Sequence, residues 1–121
     1  MRVSRDFGFE AAHRLPDYGG RCEALHGHSW KLRVTVEAPV GPNGLAFDFL
    51  ELEREVRAKV LARLEHSYLN DIIEVPSAEN LAVWAWGALA RLPLAEIMIW
   101  ESADCVVTYD GPGESEPGRG A

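Results

Sequence analysis

Cysteine is scarce in this chain: only Cys22 and Cys105 occur in 121 residues. Small secreted scaffolds that rely on disulfides carry more, so the expectation is a reduced, cytoplasmic protein. Long apolar runs are also missing. The longest fall far short of the ~20 residues that span a bilayer, and no membrane partner is expected. The start of the chain carries Arg2, Arg5 and Asp6, which does not suit a signal peptide. Positive charge is in deficit: twelve Lys and Arg against nineteen Asp and Glu leave a formal net charge of −7. Duplex nucleic acid needs a basic surface, so no nucleic-acid partner is expected. A small anionic substrate stays open, because a few local cations can hold one. There is no internal repeat, and the length suits one compact domain.

What the chain does have is 47% hydrophobic residues, enough for a core. A domain of this size buries a limited share of its surface and gains from oligomerisation. Phe7, Phe9, Ala11 and His13 alternate with smaller or more polar neighbours, a strand pattern. Leu15 to Glu23 holds Pro16, Gly19 and Gly20 and reads as a loop. From His28 the alternation is clean, with Trp30, Leu32, Val34 and Val36 on one face. Pro39 to Gly44 is a turn cluster.

Asp48 suits a helix N-cap, with Glu51 three residues on. Leu52, Val56, Val60 and Leu64 then recur every four residues along an amphipathic helix. The segment from His66 to Val75 reads as irregular. Ser77 suits the N-cap of a second helix, with Leu81, Trp84, Ala85, Ala88 and Leu92 on its apolar face and Pro93 ending it. Ile97 to Trp100 and Cys105 to Tyr109 are β-rich runs joined through Ser102-Ala103-Asp104. The order is ββααββ. It predicts an α+β domain over 1–110, a four-stranded antiparallel sheet with two helices on one face. The Gly-, Pro- and Glu-rich stretch 111–121 is read as a disordered tail.

Three of the four histidines lie between positions 13 and 28. His26 and His28 are two apart and leave the same face of a strand. If the first two strands pair, His13 can face them. Three imidazoles on rigid strands suit zinc, with a fourth position open for water or substrate. The H-x-H pair alone is a weak signal, and a lone histidine is more often a hydrogen-bonded core residue. Cys22 allows two readings: a fourth zinc ligand in a structural site, or a thiolate of lowered pKa acting beside the metal. Cys105 reads as an ordinary semi-buried thiol. Glu65-His66 could form a proton relay or a solvated pair at a helix end. Glu101 meets a turn after an apolar strand. It could accept two parallel hydrogen bonds from a guanidine-like ring edge, or it could be a solvated strand-end charge.

Taken in order, these pieces resemble the 6-pyruvoyl-tetrahydropterin synthase superfamily. They are Phe9 to Leu15, the Cys-x-x-x-His-Gly-His run at Cys22 to His28, Phe47-Asp48-Phe49, Glu65 to Asn70, Pro76 to Asn80, and Glu101. The cysteine spacing looks most like the 6-carboxytetrahydropterin synthase branch, which serves queuosine and other deazapurine pathways. The resemblance implies a tunnelling fold, a homo-hexamer built as a dimer of trimers, and 7,8-dihydroneopterin triphosphate as substrate. It implies Zn2+ on His13, His26 and His28, and Cys22 as the proton-abstracting residue. His66, oriented by Glu65, would be the acid/base partner. Glu101 would anchor the pterin ring, with Ser77 nearby. The family usually has Asp where this chain has Glu65. Glu23, directly after Cys22, falls where the resemblance to a folate-branch relative places a working glutamate. It leaves open a 6-hydroxymethyl-dihydropterin product or a dual activity, besides the pyruvoyl reaction. A metal- or pterin-binding module without catalysis is the non-enzyme alternative.

Overall fold

The computed structural model describes residues 1–16 and 25–113. Two long strands, β1 (Arg2–His13) and β2 (His26–Glu37), pair antiparallel along their whole length. The register sets large side chains against each other on one face. Phe9 lies opposite Trp30 with the rings stacked at 5.9 Å, and both are 2% exposed. Burial of such an aromatic contributes about 2–3 kcal/mol. The Trp30 indole N–H is satisfied in the interior, donating to the Ala11 carbonyl at 3.2 Å.

After the turns of residues 42–47, Asp48 caps helix α1 (Phe49–Val56) by accepting the Leu50 N–H at 2.9 Å. The helix continues through a π turn, Arg57–Leu61, into α2 (Ala62–Leu64). This wide turn explains the four-residue spacing seen in the sequence. Side chains four apart drift about 40° further round an ordinary helix at each step. One extra residue in a π turn resets that drift, and Leu52, Val56, Val60 and Leu64 all end in the core.

The segment expected to be irregular instead carries a short strand, β3 (Ser67–Tyr68), and a 3-10 turn, Leu69–Asp71. β3 runs parallel to β1, with Ala11 opposite Ser67 and Ala12 opposite Tyr68. Helix α3 (Ala78–Ala88) starts where Ser77 Oγ accepts the Asn80 N–H at 3.1 Å. It ends before Leu92, because Leu89 already has φ −106° and ψ 19°, outside the helical range. Leu89 and Leu92 are nevertheless buried from the turn that follows. β4 (Leu94–Ser102) and β5 (Cys105–Tyr109) form the expected hairpin.

The sheet order is β3-β1-β2-β4-β5. The expectation of four antiparallel strands is corrected to five in a mixed sheet. A two-residue strand is too short to show a period, and its parallel pairing depends on contacts distant in sequence. The α+β class and the single helix-covered face stand. Helical and sheet residues share one core, with Phe7, Leu32, Val34 and Ile97 from the sheet meeting Leu52, Val56 and Leu81 from the helices. The opposite face is charged. There Arg33 donates to Asp6 at 2.6 and 3.0 Å, and Lys31 Nζ sits 4.1 Å from the Trp100 ring centre. Cys105 is exposed rather than semi-buried, since β5 is an edge strand. The expected tail is described only through Gly113; residues 114–121 lie outside the described part. Among the described residues no helix is long and apolar enough to cross a membrane.

Candidate functional site

β1 and β2 end side by side, with His13 directly opposite His26. Partners directly opposite in a ladder point to the same face, and so does a residue two further on. His28 therefore joins them. Its own partner is Ala11, whose methyl leaves room for the imidazoles to converge. The ring centres form a triangle with sides of 4.5, 4.7 and 5.0 Å. Trp30 closes one side, edge-on to His13 at 5.0 Å and to His28 at 5.4 Å.

The orientation of His13 is fixed from behind. Its side chain is fully buried, and Nδ1 lies 2.8 Å from the Pro76 carbonyl oxygen. A carbonyl can only accept, so Nδ1 carries a proton, and in the neutral ring Nε2 is the nitrogen that presents a lone pair. This is the arrangement that orients a histidine ligand on a metal. Among the described residues, Nε2 of His13 and of His28 are both buried without a hydrogen-bond partner, which an ordinary core histidine avoids. Burial holds the His28 imidazole below its ordinary pKa; Glu101 pulls it back up, and His13 and His26 press it lower. His28 therefore favours the neutral, ligating form.

Glu101, near the end of β4, turns toward the three rings. Its Oε1 lies 3.2 Å from His28 Nε2 and 3.8 Å from His13 Nε2. One donor atom from each of His13, His26, His28 and Glu101 lies within 4.8 Å of the other three. The unpartnered nitrogens and the donor set fit a metal ion. Sequence spacing found the three histidines and offered only Cys22 as a fourth ligand. It missed the approach of Glu101, which follows from the register of β4 on β2, Lys31 opposite Trp100.

The Glu65-to-Asn70 segment is a rail along the free edge of β1. Glu65 Oε1 accepts the Glu10 N–H at 3.1 Å, and the His66 N–H donates to the Glu10 carbonyl. Two residues of β3 follow. Asn70 then exchanges two hydrogen bonds with the Arg14 backbone, at 2.8 and 2.9 Å. To make this entry His66 adopts φ 55°, an uncommon conformation for a residue with a side chain. His66 Nε2 lies 3.3 Å from Glu65 Oε1, and the imidazole is 79% exposed. His66, Ser67, Glu10, Ser29, Gly27 and His28 line one surface cavity of about 480 Å³, so one member of the histidine triangle, His28, and one of the Glu-His pair, His66, border the same space. Within it Ser29 Oγ donates to Glu10 Oε1 at 2.8 Å. Ser77 serves as the α3 cap, immediately after the carbonyl that holds His13. Cys22 and Glu23 lie outside the described residues. Sequence reasoning missed the parts played by Pro76, Glu10 and Asn70; a carbonyl, or a backbone brace, leaves no mark in residue type.

Comparison with known proteins agrees with this geometry. Residues 2–112 match the family model described as 6-pyruvoyl tetrahydropterin synthase. The 6-carboxy-5,6,7,8-tetrahydropterin synthase of Synechocystis is 34% identical over 120 residues, covering 91% of this chain and 93% of that protein. The dihydroneopterin monophosphate aldolase of Pyrococcus furiosus is 35% identical over 107 residues, covering 83% and 89%. The solved 6-pyruvoyl tetrahydropterin synthase of Caenorhabditis elegans superposes with a TM-score of 0.83 at 26% identity, over 93% of this chain and 96% of that one. The chain belongs to the 6-pyruvoyl tetrahydropterin synthase family.

Proposed function

We propose that the chain is a zinc-dependent 6-carboxy-5,6,7,8-tetrahydropterin synthase. With one molecule of water, it takes 7,8-dihydroneopterin triphosphate to carboxytetrahydropterin, releasing triphosphate and acetaldehyde. The observation that carries this reading is the convergence of His13, His26 and His28, with two buried nitrogens left unpartnered. The name and coverage of the Synechocystis relative support the choice of reaction.

His13, His26 and His28 would hold the zinc. When bound, the metal polarises the side-chain hydroxyls of the substrate and makes the neighbouring C–H more acidic. Cys22 removes that proton as a thiolate, and His66 returns one, with Glu65 orienting its ring. Glu101 holds the pterin edge, which fixes the reacting carbon against the site, and Ser77 lies beside the ring. The protein works in the cytoplasm as a homo-hexamer, on the queuosine pathway.

A second reading is favoured by two observations, the aldolase name of the Pyrococcus relative and the presence of Glu23 next to Cys22. In it Glu23 acts as the base and the product is 6-hydroxymethyl-dihydropterin. The deciding experiment incubates zinc-loaded protein with 7,8-dihydroneopterin triphosphate and identifies the pterins and aldehydes by mass. Carboxytetrahydropterin with acetaldehyde supports the first reading, and hydroxymethyl-dihydropterin without a carboxylate overturns it. Cys22→Ala provides the check against a non-catalytic module. The enzyme reading expects turnover to fall at least a hundredfold, in keeping with loss of a general base, with zinc retained. A structural zinc on four protein ligands expects loss of metal and of stability together.

A further inference from the structure

We propose that Glu101 is a fourth ligand of the metal in the substrate-free protein and leaves that place when a pterin binds. The inference rests on the metal site and pterin substrate of the reading above, and adds to them a resting state that closes itself.

Four donors at about 2.0–2.1 Å from a tetrahedral zinc lie about 3.3 Å from one another. Glu101 Oε1 is 3.2 Å from His28 Nε2 and 3.8 Å from His13 Nε2, close to that spacing on two edges, and all four donor atoms lie within 4.8 Å of one another. An ordinary histidine–carboxylate hydrogen bond does not account for the approach. The His28 distance is short enough for one, yet among the described residues His28 Nε2 makes no hydrogen bond; distance alone does not make one. In the neutral ring, His13 Nε2 faces the same oxygen with a lone pair, since Nδ1 holds the proton against Pro76. Two acceptors turned toward each other repel unless a cation lies between them. With three neutral imidazoles, the carboxylate would also reduce the charge of a dication to +1.

The same carboxylate cannot serve both partners at once. Holding a guanidine-like pterin edge takes two parallel hydrogen bonds, one on each oxygen. Glu101 Oε1 is committed to the histidine cluster. Glu101 stands one residue before Ser102 and the two-residue turn of the β4–β5 hairpin, and its side chain is 28% exposed. It has a route outward, and metal and pterin compete for it.

The test uses cobalt(II) in place of zinc, read by visible absorption, together with zinc affinity measured against a competing chelator. The expected result is that Glu101→Gln alters the cobalt spectrum and weakens zinc binding at least tenfold. Saturating 7,8-dihydroneopterin should shift the wild-type spectrum. Identical spectra and affinities for wild type and Glu101→Gln overturn the proposal. So does a thiolate-to-cobalt charge-transfer band that Cys22→Ala removes, which would give the fourth position to Cys22. If Glu101→Gln does not fold, the wild type decides. A cobalt spectrum unchanged when pterin fluorescence reports full binding overturns the release of Glu101. A wild-type protein that takes up neither metal overturns this inference and the proposed zinc function together; a Cys22-to-cobalt band counts against both, as the mark of a structural zinc, whereas the results on Glu101→Gln and on pterin binding leave that function standing.

Discussion

Glu65 reaches across to the strand that carries His13: its Oε1 accepts the backbone N–H of Glu10 at 3.1 Å and lies 3.3 Å from the His66 imidazole. One oxygen therefore holds both the strand edge and the imidazole. An aspartate, one methylene shorter, would have to give up one of the two contacts unless the backbone moved.

Three substitutions separate these roles. Glu65→Ala should cost about 1 kcal/mol for the lost hydrogen bond, read as a melting point about 3–5 °C lower. Glu65→Gln keeps an oxygen for Glu10 and should melt close to wild type, with turnover reduced because the charge beside His66 is gone. Glu65→Asp should fall between them in stability. Thermal melts and turnover on the same three proteins check this, and equal stability of all three would sink the brace.

The metal ligands should not be equivalent. His26→Ala is expected to lose zinc, seen by elemental analysis, and keep its fold. His13→Ala should lose zinc and also about 2–4 kcal/mol of stability in the metal-free state. It empties a fully buried site and leaves the Pro76 carbonyl unpaired. Denaturant unfolding of the two apo-proteins reads the difference.

Gly111 has φ +106°, and a β-carbon there would lie 2.6 Å from the Trp86 ring. Trp86 in turn packs edge-on against Tyr109 at 5.4 Å. Gly111→Ala is predicted to cost about 1–3 kcal/mol and to change tryptophan fluorescence. A melt unchanged from wild type would place the ring elsewhere.

On the charged face, hydrogen bonds from the Arg33 guanidinium hold the Asp6 carboxyl below the usual carboxylate range. The unfolded chain therefore binds this proton more readily than the folded one. The stabilisation is present above the ordinary aspartate value of about 3.9 and is lost as pH falls through the lower folded value. Both side chains are more than a third exposed, so the effect is small and screened by salt. Asp6→Asn should melt slightly below wild type at neutral pH in low salt. The gap should close in strong acid.

The long strands were legible because β1 and β2 each bury one face, and period-two alternation records that. The three histidines were legible for the same reason, once the strands were assumed to pair. Glu101 was singled out for its place before a turn. Its meeting with His28 depends on how β4 aligns on β2, and no local pattern encodes that alignment. β3 was invisible because it is defined by what Glu65, His66 and Asn70 do to the backbone of β1. The Pro76 carbonyl that fixes the His13 tautomer belongs to no side chain. The expectations for Cys22 and Glu23 concern residues outside the described part.

The π turn at Arg57–Leu61 carries a consequence for how such chains can change length. It holds one residue more than an ordinary helix of the same height needs. A deletion there would tighten the turn and leave Leu52 at one end and Leu64 at the other where they are, with the Glu65–His66 pair undisturbed. The same deletion within β1 would reverse the side of every residue beyond it and take His13 out of reach of its partners. The helix can thus absorb a gain or loss that the strands cannot, and related sequences that differ by one residue should differ here.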